Sequence, residues 1–203
     1  MTSMKGFPNF EYYFIKGSKT LDIILQGADV GIDKPFIRKV INTCRKSGNS
    51  VLAFNFLYYE RGEDHSSGEE LLEELETLKS LMVYVRAEEY RHIRFVGKSL
   101  GGIVGSFFLN DLPENDMQRY SIVILGYVTG SVRLNQFSGK ISIIQGEKDK
   151  FGSIEKVKED LINARSKNIS YFEVKEADHS FRNPETKEPV FVDEAMQLLA
   201  SIK

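Results

Sequence analysis
Phe-Val-Gly-Lys-Ser-Leu-Gly-Gly, residues 95–102, holds the densest chemistry in the chain. Its Gly-Lys-Ser centre matches the tail of a phosphate-binding loop. Its Gly97-Lys98-Ser99-Leu100-Gly101 frame matches a turn that presents a nucleophilic serine. A phosphate loop needs a glycine five residues ahead of its Gly-Lys pair, and position 92 is His92. Residues 93–96 read as strand and cannot form a glycine-rich cradle. The nucleophile reading fits better. A serine on a sharp strand-to-helix turn needs small neighbours, which Gly97 and Gly101 supply. Gly102 lets helix and strand pack closely. The amide of Leu100, at the helix start, would face a developing oxyanion.

A serine hydroxyl is a poor nucleophile until a base takes its proton. On a strand–turn–helix scaffold the partners follow in the order serine, acid, histidine. The chain has three histidines. His65 and His92 precede the serine. His179, in Glu-Ala-Asp-His-Ser-Phe, follows it and comes just after an apolar stretch. The acid should follow the previous strand, where Gly-Glu-Lys-Asp-Lys offers Asp149, with Glu147 in reserve. His179 would act as base and Asp149 would orient it. Asp178, beside His179, reads as a capping residue or an incidental charge. A second oxyanion donor is expected from Gln26-Gly27-Ala28-Asp29, through the amide of Ala28 or of Gly27.

The elements that must position these residues are legible from periodicity. Strands are expected at 9–15, 21–25, 51–56, 92–97, 121–126, 140–146 and 169–174. They are short, apolar and rich in β-branched or aromatic residues. Helices are expected at 35–45, 69–86, 101–110, 153–165 and 188–202. Strands alternating with helices, each strand continuously apolar, predict a three-layer α/β/α sandwich around a mostly parallel sheet. Ligands bind at the carboxyl ends of such strands, where the candidate residues fall.

Composition narrows the function classes. The 203 residues read as one domain, 1–203, and the net charge of −2 attracts neither nucleic acid nor an anionic membrane. The single cysteine, Cys44, reads as a buried helix residue, and a cytoplasmic location is expected. The N-terminus lacks the apolar run of a signal peptide. Scattered histidines and the lack of a cysteine pair predict no metal, and no cofactor is expected. Lys98, beside Ser99, offers a charge that would attract an anionic substrate, but it reads first as a solvated lysine, and the acidic stretch 69–76 reads as a solvated face.

Read together, GADVGIDKPF at 27–36, FNFLYYERG at 54–62, GKSLGG at 97–102, QGEKDKFG at 145–152 and DHSF at 178–181 resemble the α/β-hydrolase superfamily. The resemblance spans about residues 20–183. It is strongest to a small dienelactone-hydrolase-like branch of predicted serine hydrolases that includes relatives of a chromatin-complex subunit. It implies an α/β-hydrolase fold, with Ser99 as nucleophile, Asp149 as acid and His179 as base. Two positions depart from the family pattern: Gln26 stands where a histidine is usual, and Leu57 where a proline is usual. Only about a dozen residues separate Gly126 from Lys140, so no cap domain is expected and the site should be open. Gly27, Tyr58, Tyr59 and Arg61 are candidates to line it. The expected function is hydrolysis of small acyl esters or thioesters through an acyl-enzyme. The alternative is a non-catalytic protein of the same fold that binds a ligand or joins a complex.

Overall fold
The computed structural model describes residues 7–202; residues 1–6, where the reading for a leader peptide begins, lie outside it. The strands are β1 (Phe10–Tyr13), β2 (Thr20–Leu25), β3 (Ser50–Phe54), β4 (His92–Lys98), β5 (Tyr120–Leu125), β6 (Lys140–Gly146) and β7 (Ile169–Val174). They form one sheet in the order β1-β3-β2-β4-β5-β6-β7. Only β1 runs antiparallel to its neighbour. The helices are α1 (Pro35–Lys46), α2 (Leu57–Glu60), α3 (Leu72–Tyr84), α4 (Leu100–Asn110), α5 (Glu114–Met117), α6 (Ile154–Asp160) and α7 (Val192–Ser201).

Alternation along each strand divides the core into two layers. Leu21, Ile23, Leu25, Ile93 and Phe95 face the layer that holds residues of α3, α4 and α6. Ile24, Val51, Ala53 and Val96 face the layer that holds residues of α1 and α7. Both faces are therefore covered, which is why these strands read as continuous apolar runs.

Several elements are shorter than their sequence patterns suggest, for local reasons. Leu71 and Arg86 take left-handed backbone conformations, φ 52° and 55°, so α3 occupies Leu72–Tyr84 and not 69–86. The acidic stretch there is not all solvated. Glu74 is buried and accepts hydrogen bonds from the Ser67 amide, at 3.0 Å, and from the Ser67 hydroxyl. Pro189 disfavours helical backbone at Glu188, and α7 starts at Val192. β3 stops at Phe54 because the chain bends at Asn55 into α2. α6 ends at Asp160 and turns carry the chain on to β7. The short α5, opened by Pro113, has no counterpart in the sequence reading.

One buried ion pair anchors the sheet's other end. Asp22 on β2 and Arg94 on β4 lie opposite in register and pair through two hydrogen bonds of 2.8 and 2.7 Å. The guanidinium also donates to the Ile202 carbonyl at 2.7 Å, and Asn49 donates to Asp22 at 3.0 Å. Breaking one side of such a pair strands a buried charge. Asp22→Ala is expected to lower unfolding free energy by about 3–5 kcal/mol in urea titration, whereas Asp22→Leu combined with Arg94→Met recovers most of the loss. Equal losses in the two variants would show that packing, and not charge pairing, sets the stability there.

Candidate active site
β4 ends at Lys98 and α4 starts at Leu100, which leaves Ser99 alone at the turn with φ 49°, ψ −113°. A side chain rarely adopts this backbone, and tight packing enforces it. A Cβ added to Gly97 would lie 2.5 Å from the Gly102 nitrogen, and one on Gly101 would lie 2.2 Å from the Leu25 carbonyl oxygen. The Ser99 amide donates to the Leu125 carbonyl at 3.1 Å, and the Ser99 carbonyl accepts from Gly102 at 2.8 Å.

The chain after β7 brings His179 to this turn. Nε2 of His179 lies 2.9 Å from Ser99 Oγ, and Nδ1 lies 2.7 Å from Asp149 Oδ2. Asp178 stabilises the loop by accepting from the amides of Ser180, at 2.8 Å, and Arg182, at 2.9 Å. Phe181 is buried and stacks on Phe36, centroids 5.9 Å apart. The Phe151 ring meets the imidazole edge-on at 4.6 Å.

Asp149 is buried and fixed on both oxygens. The Phe151 amide donates to Oδ1 at 2.9 Å and Gln145 Nε2 to Oδ2 at 3.0 Å. Gln145 also donates to the Gly152 carbonyl at 2.7 Å and accepts from the Tyr127 amide at 2.7 Å. Sequence reasoning missed Gln145. Its signal was a polar residue inside the otherwise apolar stretch before Gly146. The reserve acid, Glu147, is turned to the Glu176 amide at 2.9 Å and Lys175 at 3.6 Å, and takes no part in the relay.

The loop after β2 closes on itself through a bridge between Gly27 and Val30. Ala28 is exposed at the cavity, and the Leu100 amide lies in the first turn of α4, where helix geometry offers no acceptor. The stretch after β3 braces this loop. Tyr58 donates to the Ala28 carbonyl at 2.6 Å, and Asn55 accepts from the Ile32 amide at 2.8 Å. This corrects the expected pocket lining. Gly27 lines the cavity, but Tyr58 is fully buried beneath the loop, and the Tyr59 ring packs over Gly31. Arg61 is tied to Glu63 and Glu73, at 2.6 and 2.7 Å. Gln26 is also fully buried, its amide beside the Tyr58 hydroxyl, and neither of its polar atoms makes a well-formed hydrogen bond.

The relay opens onto a cavity of about 670 Å³ whose lining includes Gly27, Ala28, Ser99, Phe151 and His179. Lys98 also lines it, and its placement corrects the solvated reading. The side chain is only 4 % exposed, and burial pushes its pKa down from 10.5 to about 7 against the attraction of Asp149, Asp29 and Asp178. His92 is exposed at the start of β4, beside a separate cavity at the sheet's other end, and His65 is exposed in a loop. Cys44 is buried, which raises its thiol pKa well above the ordinary value. Among the described residues, no group of three His, Cys, Asp or Glu is placed to hold a metal ion, and no helix is long and apolar enough to cross a membrane.

A covered parallel sheet, a strained serine after its central strand and a histidine–carboxylate pair after its last two define an α/β-hydrolase fold. The sequence pattern described as "Alpha/beta hydrolase domain" matches residues 19–202, and the chain belongs to this family. No curated protein matches it in sequence. Among solved structures, an alpha-beta serine hydrolase homologue from Coxiella burnetii superposes with a TM-score of 0.72 at 17 % identity, covering 94 % of this chain and 89 % of its own. A dienelactone hydrolase from Anabaena variabilis gives 0.72 at 15 % identity, covering 94 % and 88 %. An esterase from Pyrococcus furiosus gives 0.66 at 18 % identity, covering 91 % and 82 %.

The buried lysine has a measurable consequence for stability. Below about pH 7 Lys98 is charged in the folded and unfolded chains alike, and the fold carries the full burial penalty. Between about pH 7 and 10.5 the folded chain has shed the proton and the unfolded chain has not, so the penalty shrinks as pH rises. Lys98→Met is therefore expected to raise the melting temperature most at low pH and least near pH 10.5. Differential scanning calorimetry across that range tests it, and a gain that grows with pH would refute it.

Proposed function
We propose that the protein is a serine hydrolase that cleaves small acyl esters or thioesters, working in the cytoplasm. The observation that carries the reading is the continuous hydrogen-bonded line from Ser99 Oγ through His179 to Asp149, at 2.9 and 2.7 Å. With Nδ1–H donated to Asp149, the Nε2 lone pair faces the serine hydroxyl. His179 takes the Ser99 proton as Oγ bonds to the acyl carbon. The carbonyl π electrons move onto oxygen, and the amides of Leu100 and Ala28 stabilise that oxyanion. His179 then protonates the leaving group as its bond to the acyl carbon breaks, leaving an acyl-serine. Water, deprotonated by His179, attacks this ester through a second oxyanion and releases the acid and free Ser99. Asp149 holds the imidazole and stabilises its charged form throughout.

A fluorophosphonate probe is expected to label the protein and to leave Ser99→Ala unlabelled. With an activated acetate ester, Ser99→Ala and His179→Ala should each lose about 10⁴-fold in kcat. A folded but unlabelled wild type would overturn the reading and favour a binding protein, the role for which the unpaired Gln26 amide would speak.

Gln145 gives a second prediction. It touches no reacting atom, and it positions Asp149. Gln145→Leu should lower kcat by about 10-fold or more with KM little changed, because only the orientation of the base is lost. An unchanged kcat would show that the Phe151 amide fixes the carboxylate by itself.

A further inference from the structure
Resting on the serine-hydrolase reading, we propose that the cavity beside Ser99 takes acyl substrates that carry their own anionic group, a carboxylate or a phosphate, and that Lys98 is its buried partner. The Lys98 side chain passes Gly27, with Cγ 3.4 Å from where a Cβ on that glycine would stand. It ends near the imidazole: Nζ and His179 Cε1 each lie 2.9 Å from where a Cβ on Gly126 would stand. Lys98 thus lines the same cavity as Ser99 and His179, with its ammonium near the imidazole. Its side chain is almost wholly buried, and among the described residues it makes neither a hydrogen bond nor an ion pair; its nitrogen is not one of the fully buried unpaired atoms and opens on the cavity that Lys98 lines. Asp149, Asp29 and Asp178 attract it from a distance and Arg182 repels it. A buried cation without a partner is costly, and a ligand that brings a negative oxygen relieves the cost.

The rim has the same sign. The cavity lining carries Lys148, Lys150, Arg182 and Lys187 besides Lys98, against the carboxylates Asp29 and Asp178. Asp178 is already engaged by the amides of its own loop and by Arg182 and Lys187. Lys150 lies over the Phe151 ring, at 4.9 Å, and makes no ion pair among the described residues. The chain as a whole has a net charge of −2, so this concentration of cations is local. Such a cleft focuses an attractive field on anions. Ala28, Val30, Phe151 and Pro184 supply apolar lining beside these charges, enough for the short carbon chain of a small acyl group.

The test compares kcat/KM for mono-4-nitrophenyl glutarate, whose acyl group ends in a carboxylate, with that for neutral 4-nitrophenyl butyrate at low salt. Wild type is expected to prefer the anionic ester roughly tenfold or more, since an ion pair out of bulk water is worth at least that. The preference should fall in Lys98→Met and also in Lys150→Glu, which lies on the rim and leaves the serine turn untouched. It should fade as pH rises through about 7, where Lys98 loses its proton. Protection of wild-type Ser99 from the fluorophosphonate by glutarate or by inorganic phosphate tells which anion the subsite favours. A labelled wild type with no ester preference, or a preference unchanged in both variants, overturns the anionic subsite and leaves the hydrolase standing. A wild type that resists labelling takes both down.

Discussion
The contact on which the site depends is the closeness of α4 to the strands beneath it. Gly97 and Gly101 bring backbone to distances that no Cβ tolerates, and Gly102 packs on the Ile124 side chain. That approach forces the turn at Ser99 and presents its hydroxyl at the carboxyl end of the central strand, toward His179. It also brings the first free amides of α4 to the same place. The strain at Ser99 is local, of order 1–3 kcal/mol, and the surrounding core over-determines it. Ile93, Phe95 and Val96 on β4, together with Val104 and Phe107 on α4, anchor both sides of the turn in the sandwich.

The other groups of the site come from loops, and buried polar side chains hold each loop. Gln145 joins Asp149 to the chain at Tyr127 and Gly152. Asn55 and Tyr58 fix the loop that carries Ala28. Asp178 closes the turn that presents His179. In a low-dielectric surrounding such bonds are strong when complete, and they let loops hold a geometry that hydrophobic packing alone leaves loose. Gln26 breaks the pattern. A buried amide without good partners costs about 1–3 kcal/mol.

Much of this was legible in the sequence because it rests on local periodicity and chain order. The apolar runs located the strands, the glycine spacing located the serine turn, and elimination among three histidines selected His179. The choice of Asp149 over Glu147 also followed from its place deeper in the turn. What stayed illegible depends on side-chain direction. Nothing in FNFLYYERG says that Tyr58 turns inward to the Ala28 carbonyl and not toward a substrate. Nothing in GKSLGG says that the lysine is buried near the imidazole instead of reaching into water, since a lysine beside a serine at a strand's end is ordinarily solvated. The Asp22–Arg94 pair was hidden for the same reason, because strand register is a tertiary fact.

β4 shows how differently one strand treats two cations. Arg94 and Lys98 lie four residues apart and so on the same face, and both are almost fully buried. Arg94 is neutralised completely, with two bonds to Asp22 and one to the Ile202 carbonyl. Lys98 has no direct partner among the described residues, although three aspartates are close enough to be felt. The difference follows position. Arg94 lies at the end of the sheet away from the relay, where charge has only to be accommodated. Lys98 lies where loops diverge around a cavity and the nucleophile stands. The fold can satisfy a buried cation on this strand and does so at the structural end. One that opens on the cavity at the reactive end, with its proton poised near neutrality, is the arrangement expected of a group whose partner arrives from outside.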